Sequence, residues 1–99
     1  MIITAYCACA LCCGPQASGL TASGVCPVEG ITVAAPRSIP LGTRIRLTVP
    51  GLWKSRAFMV QDRLARRYDD RVDVYFTRHS DAVKFGKREG TLILERRIL

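Results

Sequence analysis

Long apolar runs are missing from this sequence, aromatic side chains make up only 7% of it, and its first 36 residues hold no positive charge. Runs such as Val33-Ala34-Ala35 fall far short of the roughly 20 residues that a membrane-spanning helix needs, so no transmembrane helix is predicted. The N-terminus, Met1–Tyr6, has neither a basic region nor a long apolar one and does not resemble a secretory signal. No helix-turn-helix or RNA-recognition motif occurs, which argues against nucleic acid as a partner.

All 15 lysine and arginine residues follow residue 36, and the net charge is +7. A basic surface favours polyanions such as an anionic cell-wall polymer or an acidic protein partner, although it also keeps a small domain soluble. At 99 residues, with 48% hydrophobic and 23% charged content, residues 1–99 are predicted to form a single globular domain. Without a signal, release by lysis or transport in a virion is the expected route to a site outside the cell.

Short apolar stretches between turn residues predict an all-β fold. Six strands are expected: Ile2–Tyr6, Ile31–Ala34, Arg44–Val49, Ala57–Gln61, Val72–Phe76 and Thr91–Glu95. One short helix is predicted over Ser80–Phe85, with Ser80 as its N-cap and Gly86 as its stop. Trp53, before the fourth strand, is expected to pack over the barrel end or to stack on a sugar ring. Six short strands in a chain of this length are typical of a small barrel.

Residues 7 to 30 are predicted to be mostly a long loop, which begins with closely spaced cysteines. Cys7, Cys9, Cys12 and Cys13 are candidate ligands for a soft metal such as zinc. Disulfides that stiffen the loop and unpaired structural thiols are equally good interpretations, and the five cysteines cannot all pair within the chain. His79, the only histidine, is expected to be a capping or surface residue rather than the partner of a cysteine nucleophile.

Two acids beside apolar strands are the leading candidates for chemistry. Asp62 directly follows the fourth predicted strand, and Asp73 lies within the fifth. A carboxylate next to a core must be paired, hydrogen-bonded or put to use. Arginines 63, 66, 67 and 71 lie close by in sequence. If they point at Asp62 they stabilise its charged form, and the acid then becomes a structural residue.

Several short motifs occur in a characteristic order along nearly the whole chain. They are Thr4-Ala5-Tyr6, Thr21-Ala22-Ser23-Gly24, Ala35-Pro36-Arg37-Ser38-Ile39-Pro40-Leu41-Gly42-Thr43, Val60-Gln61-Asp62-Arg63, Arg71-Val72-Asp73-Val74-Tyr75-Phe76 and Ala82-Val83-Lys84-Phe85-Gly86. This ordered set resembles the 3D domain, a family named for three aspartates. The family includes the catalytic domain of membrane-bound lytic transglycosylase A and the stationary-phase survival proteins, and rare lipoprotein A looks like a more distant relative. The resemblance implies a six-stranded double-psi β-barrel.

The resemblance also implies a peptidoglycan-acting protein. Lytic transglycosylases of this type cleave the MurNAc–GlcNAc bond of glycan strands without water and leave a 1,6-anhydro end. By this resemblance Asp62 is the catalytic carboxyl, acting first as acid and then as base, and Asp73 orients it or raises its pKa. Thr21, Ser23, Arg63 and Arg71 are candidate substrate-binding residues. No cofactor is required.

Two departures from the family pattern leave the activity open. The family's first aspartate is Ala35 here, and the usual Asp-Thr-Gly is Asp62-Arg63-Leu64. The alternative function is a non-catalytic structural or cell-wall-binding barrel, for example a phage tail or prophage component that contacts other virion or cell-wall proteins. In that case the two acids are architectural.

Overall fold

A computed structural model describes residues 1–7 and 20–95 of the chain. Within these residues the secondary structure consists of seven strands and one short helix. The elements are β1 (Ile2–Tyr6), β2 (Thr32–Ala35), β3 (Arg44–Val49), β4 (Trp53–Arg63), β5 (Arg71–Tyr75), α1 (His79–Phe85), β6 (Arg88–Glu89) and β7 (Thr91–Leu94). The strands form one sheet that closes almost completely into a barrel, which confirms the all-β barrel predicted from the sequence. No helix in the described part is long and apolar enough to cross a membrane.

The strand order is β6-β1-β5-β2-β4-β3-β7. Two pairs are parallel, β1 with β5 and β2 with β4. The other pairs are antiparallel, including the β3–β4 hairpin and the β2–β5 contact at the centre of the sheet. This mixed order brings β1, β5, β2 and β4 side by side, although they are far apart in sequence.

Alternation along the strands separates a buried face from an outer face. In β3, Ile45, Leu47 and Val49 are buried while Arg44 and Arg46 are exposed, as the sequence pattern predicts. Side chains from the same inward face of the other strands complete the core. Its buried members are Ile3, Val33, Ala35, Ile45, Leu47, Val49, Phe58, Val60, Val72, Val74 and Phe85.

The barrel closes through a glycine kink that the sequence analysis missed. The predicted strand Thr91–Glu95 ends at Leu94 and is preceded by the two-residue strand β6. Gly90 separates β6, which pairs with β1, from β7, which pairs with β3. A Cβ at Gly90 would overlap the Thr48 carbonyl oxygen and Ile3 Cδ1, so only glycine fits there. β7 therefore corresponds to the expected sixth strand, and β6 is an additional short strand on the other side of Gly90.

The helix begins one residue earlier than predicted. Its N-cap is Arg78, and no side chain caps the first turn, so the prediction that Ser80 is the N-cap was wrong. The predicted stop at Gly86 is confirmed: this residue has a positive φ of 65° and its N–H donates to the Ala82 carbonyl. Ala82 and Phe85 face the barrel and are buried.

Other element boundaries shift in the same modest way. β2 and β5 each lie one residue away from the prediction, and β4 starts four residues earlier, at Trp53. Trp53 stacks on Phe85 with ring centroids 5.5 Å apart and contacts Phe58 at 5.4 Å. Trp53 therefore packs over the end of the barrel, the first of the two roles considered for it.

Candidate active site

A β-bulge in β4 decides which way Asp62 faces. Val33 of β2 pairs with Val60, but the next residue, Ala34, pairs with Asp62, so Gln61 is an extra residue on β4. Val33 and Val60 both lie in the core. Without the extra residue, strict alternation would put Gln61 beside Ala34 and turn Asp62 towards the core side. The bulge therefore brings the Asp62 carboxylate to the outer face.

Strand register places the two predicted acids in one row on that face. Thr4 of β1 pairs with Asp73 of β5, Asp73 pairs with Ala34 of β2, and Ala34 pairs with Asp62 of β4. Paired residues on neighbouring strands project to the same side of a sheet. The small Ala34 side chain thus lies between the two carboxylates, whose backbones are about 10 Å apart because each strand spacing is about 4.8 Å. We call Thr4, Asp73, Ala34 and Asp62 the carboxylate row.

The Asp62 carboxylate is held by three hydrogen bonds. Its Oδ1 accepts the backbone N–H groups of Ala22 and Arg63, both at 2.9 Å, and its Oδ2 accepts the Tyr6 hydroxyl at 3.1 Å. A backbone N–H can only donate, so Oδ1 serves as an acceptor for both. Any proton carried by Asp62 in this arrangement is therefore on Oδ2, beside Tyr6.

Asp73 lies in a different environment. It is half-buried, and its Oδ1 accepts a hydrogen bond from the Thr4 hydroxyl at 2.9 Å. Burial raises the pKa of Asp73 above its usual value, and the nearby charge of Asp62 adds to that rise. The Thr4 hydrogen bond and the charge of Arg71 act in the opposite direction without cancelling the effect of burial. Asp73 is thus a carboxyl that burial biases towards the protonated form.

The neighbouring arginines do not lock Asp62. Among the described residues, none of them forms an ion pair with it. Arg63 donates through Nη1 to the Pro36 carbonyl at 3.1 Å and to the Ile39 carbonyl, so it fastens the turn after β2. Arg71 pairs with Asp70, with Nε and Oδ1 3.0 Å apart, and this contact lowers the pKa of Asp70. Binding of substrate by Arg63 and Arg71 stays a prediction.

The predicted binding loop docks directly onto the bulge. Ser23 donates both its backbone N–H, at 3.1 Å, and its hydroxyl, at 2.8 Å, to the Gln61 carbonyl. The Thr21 and Ser23 hydroxyls lie 2.9 Å apart, and the N–H of Ala22 reaches Asp62. The small residues of this segment allow the close backbone approach. Thr21 and Ser23 therefore lie next to the carboxylate row, and their contact with substrate stays a prediction.

Tyr6 is, with Thr4, a member of the site that sequence reasoning did not single out. It belongs to a second buried cluster on the outer face, with Ala34, Leu64 and Tyr75, against which Tyr68 packs. The Tyr6 and Tyr75 rings meet edge-on with centroids 5.5 Å apart. Tyr6 follows Thr4 by two residues, so both side chains lie on the same face of β1. This spacing indicates that Tyr6 belongs to the site only once β1 is known to pair with β5.

The cysteine cluster is described only at its first member. Cys7 is buried, and its Sγ lies 3.5 Å from Nδ1 of His79, the partly exposed first residue of α1. Cys9, Cys12 and Cys13 lie outside the described residues. Within the described ranges, no three metal-ligating side chains come together. Zinc and disulfides both stay predictions for this segment.

A comparison by sequence finds no matching family model and no matching curated protein. A comparison by structure does find matches. They include a crystal structure of MltA from Escherichia coli (TM-score 0.63), an aspartate-to-alanine variant of this lytic transglycosylase in its apo-2 form (0.64), and an MltA structure described as a unique lytic transglycosylase fold (0.63).

This chain has the fold seen in MltA. In each case the match covers 76% of this chain at 23% sequence identity, which defines the fold and confirms the barrel that the ordered motifs implied. The matched part is 26% of the MltA chain, so this chain spans about a quarter of the MltA length. The carboxylate row therefore lies on an MltA-like barrel.

Proposed function

We propose that this protein is a peptidoglycan lytic transglycosylase that cleaves the MurNAc–GlcNAc bond and leaves a 1,6-anhydro end. The observation that carries the proposal is the carboxylate row: Asp62 and Asp73 flank Ala34 on the outer face of the barrel. The barrel shares its fold with MltA, which is itself described as a lytic transglycosylase. The bulge at Gln61 supports the proposal because it turns Asp62 away from the core.

The reaction needs one well-placed carboxyl. Asp62 donates the proton on Oδ2 to the glycosidic oxygen as the bond from the MurNAc anomeric carbon to that oxygen breaks. The MurNAc 6-hydroxyl then forms a bond to the same carbon and gives its proton to Asp62. The carboxyl is regenerated and no water is consumed. The two backbone N–H groups on Oδ1 and the Tyr6 hydroxyl on Oδ2 hold the carboxyl in one orientation throughout.

Asp73 acts as a positioning residue in this proposal. It lies across Ala34 from Asp62, and the two charges raise the free energy of the doubly ionised state. The Thr4 hydroxyl fixes its Oδ1. Asp73 therefore holds a fixed position beside the proposed acid.

The alanine at the position of the family's first aspartate does not interrupt the row. Ala35 is fully buried in the core, on the opposite face of β2 from Ala34, and its carbonyl accepts the N–H of Leu64. Its side chain is therefore not a neighbour of either carboxylate within the row. Activity in the presence of Ala35 is part of what the experiment tests.

The test is mass spectrometry of the muropeptides released from purified peptidoglycan. Asp62→Asn is the decisive variant, because the amide oxygen can still accept the N–H groups of Ala22 and Arg63 while no acidic proton remains. We expect 1,6-anhydro products from the wild-type protein and at least about 100-fold less from Asp62→Asn. Asp81→Asn, which changes a carboxylate on α1, is the matched control and should keep full activity.

The alternative is a non-catalytic cell-wall-binding or structural barrel, such as a virion component. One observation favours it: Asp62 fastens the segment around Ala22 to β4, a purely architectural task. If wild-type protein and Asp62→Asn both release nothing while both sediment with peptidoglycan sacculi, the binding function is correct. Equal release of 1,6-anhydro products by both would instead show that another residue is the acid.

A further inference from the structure

A second concave site adjoins the carboxylate row. It is a cavity of about 320 Å³ between two chain segments, residues 36–38 after β2 and residues 65–69 after β4. We call it the basic pocket, because Arg37 and Arg66 line it, together with Tyr68 and one acidic residue, Asp69. The mechanism proposed above uses none of these residues.

Both walls of the basic pocket are closed turns. The N–H of Ile39 donates to the Pro36 carbonyl at 3.0 Å, and the N–H of Tyr68 donates to the Ala65 carbonyl at 2.9 Å. The Arg63 guanidinium also donates to the Pro36 carbonyl, which ties the first wall to the end of β4. The pocket is therefore formed before any ligand arrives, which lowers the entropic cost of binding.

The charge at the basic pocket suits an anion. Among the described residues, neither Arg37 nor Arg66 forms an ion pair. The guanidinium carbons of Arg67 and Arg71 lie 4.9 and 4.4 Å from the centre of the Tyr68 ring, and Arg71 is also paired with Asp70. Unpaired guanidinium groups are well matched to carboxylate because their planar N–H groups can bind both oxygens at once.

The basic pocket is also continuous with the proposed catalytic site. Tyr68 packs against the outer cluster that contains Tyr6, whose hydroxyl contacts Asp62. Ala65 follows Asp62 by three residues, which is a distance of at most about 10 Å along the chain. A ligand bound at the carboxylate row therefore needs to be only a few residues long to reach the pocket.

We propose that the basic pocket binds a carboxylate of the peptidoglycan stem peptide. This inference rests on the proposed function, since it places the scissile MurNAc residue at the carboxylate row. The stem peptide begins at the lactyl group of that same sugar, and two extended residues span about 7 Å. Its acidic residues are the anions closest to the bond being cut, whereas the hydroxyl and acetamido groups of the glycan are uncharged. The pocket thus selects glycan strands that still carry peptides.

The test measures binding of the protein by calorimetry to two preparations of soluble glycan strands, both free of teichoic acid. The intact preparation carries uncrosslinked stem peptides, and in the other an amidase has removed the peptides, which leaves only the lactyl carboxylate on each MurNAc. We expect the wild-type protein to bind the intact preparation about tenfold more tightly. The double variant Arg37→Gln/Arg66→Gln should lose this preference. The matched control, Lys54→Gln/Lys84→Gln, removes the same charge at exposed positions outside the pocket and should keep it.

The outcomes separate this inference from the catalytic proposal, because binding is measured without cleavage. Equal binding of both preparations by the wild-type protein would overturn the inference, even if 1,6-anhydro products are formed. A preference lost equally in both double variants would assign it to overall charge and also overturn it. If the protein binds neither of these preparations but binds sacculi that retain teichoic acid, the pocket holds a phosphate instead, and the inference is overturned. The inference is supported if the wild-type protein binds the intact preparation more tightly and only Arg37→Gln/Arg66→Gln loses this preference, whether or not cleavage occurs.

Discussion

Ionisation of the Asp73 carboxyl lowers the stability of the fold. Burial removes water from its carboxylate and raises its pKa in the folded protein, whereas in the unfolded chain the group returns to its ordinary value. Between these two values the folded state binds more protons than the unfolded state. The free energy of unfolding therefore falls as the pH rises through that window, and the loss persists above it.

Asp73→Asn should consequently stabilise the protein at neutral pH. The amide oxygen still accepts the Thr4 hydroxyl, and no charge is left to bury. We expect a higher melting temperature than wild type at about pH 7 and a difference that shrinks as the pH approaches about 4, where the unfolded carboxyl also protonates. Thermal melts across this range measure the effect.

Asp70→Asn is the control, and it should change the stability at neutral pH in the opposite direction. Its exposed carboxylate pairs with Arg71, which lowers its pKa, so the wild-type charge stabilises the fold at neutral pH and the benefit is lost on acidification. The effect should be small because surface pairs contribute little. If the difference in melting temperature between Asp73→Asn and wild type stays the same at every pH, burial of the Asp73 charge does not have the effect on stability described above.

Individual site residues differ in how well the sequence predicts them. The sequence singles out Asp62 and Asp73 as candidates, because an acid next to an apolar strand is unusual, and their roles in catalysis stay predictions. It does not single out Tyr6 and Thr4, since their contacts depend on β1 pairing with β5 across 69 residues of sequence separation. The bulge at Gln61 leaves no signature in the residue types, yet it decides which face Asp62 occupies.

Among the elements, the strands with strict alternation were predicted best. β3 matches its prediction at both ends because Ile45, Leu47 and Val49 alternate with polar residues. The first half of β4 was missed because Lys54, Ser55 and Arg56 are exposed and polar, and only the hairpin with β3 holds them extended. β6 was missed because two exposed residues before a glycine carry no strand pattern.

Gly90 is the position where a whole element depends on the absence of a side chain. It joins β6 to β7, and its N–H donates to the Met1 carbonyl at 2.9 Å. A methyl group there would collide with the backbone of Thr48 and with the buried Ile3 side chain, and backbone cannot move aside cheaply. The collision would push β7 away from β3 and open the barrel.

Gly90→Ala should therefore destabilise the fold by about 3 kcal/mol or more, as overpacking against fixed atoms does. The comparison is Gly42→Ala, where φ is +87° but no atom lies near the new methyl group, so only backbone strain of about 1 kcal/mol is expected. Urea denaturation measures both. Similar losses of stability in the two variants would contradict the collision described at Gly90, because the barrel would then accommodate a methyl group there.

At the scale of the molecule, the two compositional parts of the sequence meet at the site. The first third, which has no lysine or arginine, supplies Thr4, Tyr6, Ala22 and Ala34, which lie around the two carboxylates. The basic remainder supplies the arginines of the neighbouring pocket. The carboxylate row and the basic pocket thus lie near each other, although the first depends on residues from both parts of the sequence and the arginines of the second come from the basic part.

This arrangement predicts binding that depends strongly on salt. With a net charge of +7, attraction to the anionic wall should weaken as ions screen it, since the screening length falls from about 10 Å at 0.1 M to about 3 Å at 1 M. We expect affinity for teichoic-acid-free sacculi to fall at least about fivefold between about 0.05 and 0.5 M sodium chloride. Chitin, an uncharged polymer of N-acetylglucosamine, is the control and should bind equally at both concentrations. Salt-independent binding to sacculi would mean that neutral sugar contacts dominate recognition and that the basic surface has another purpose.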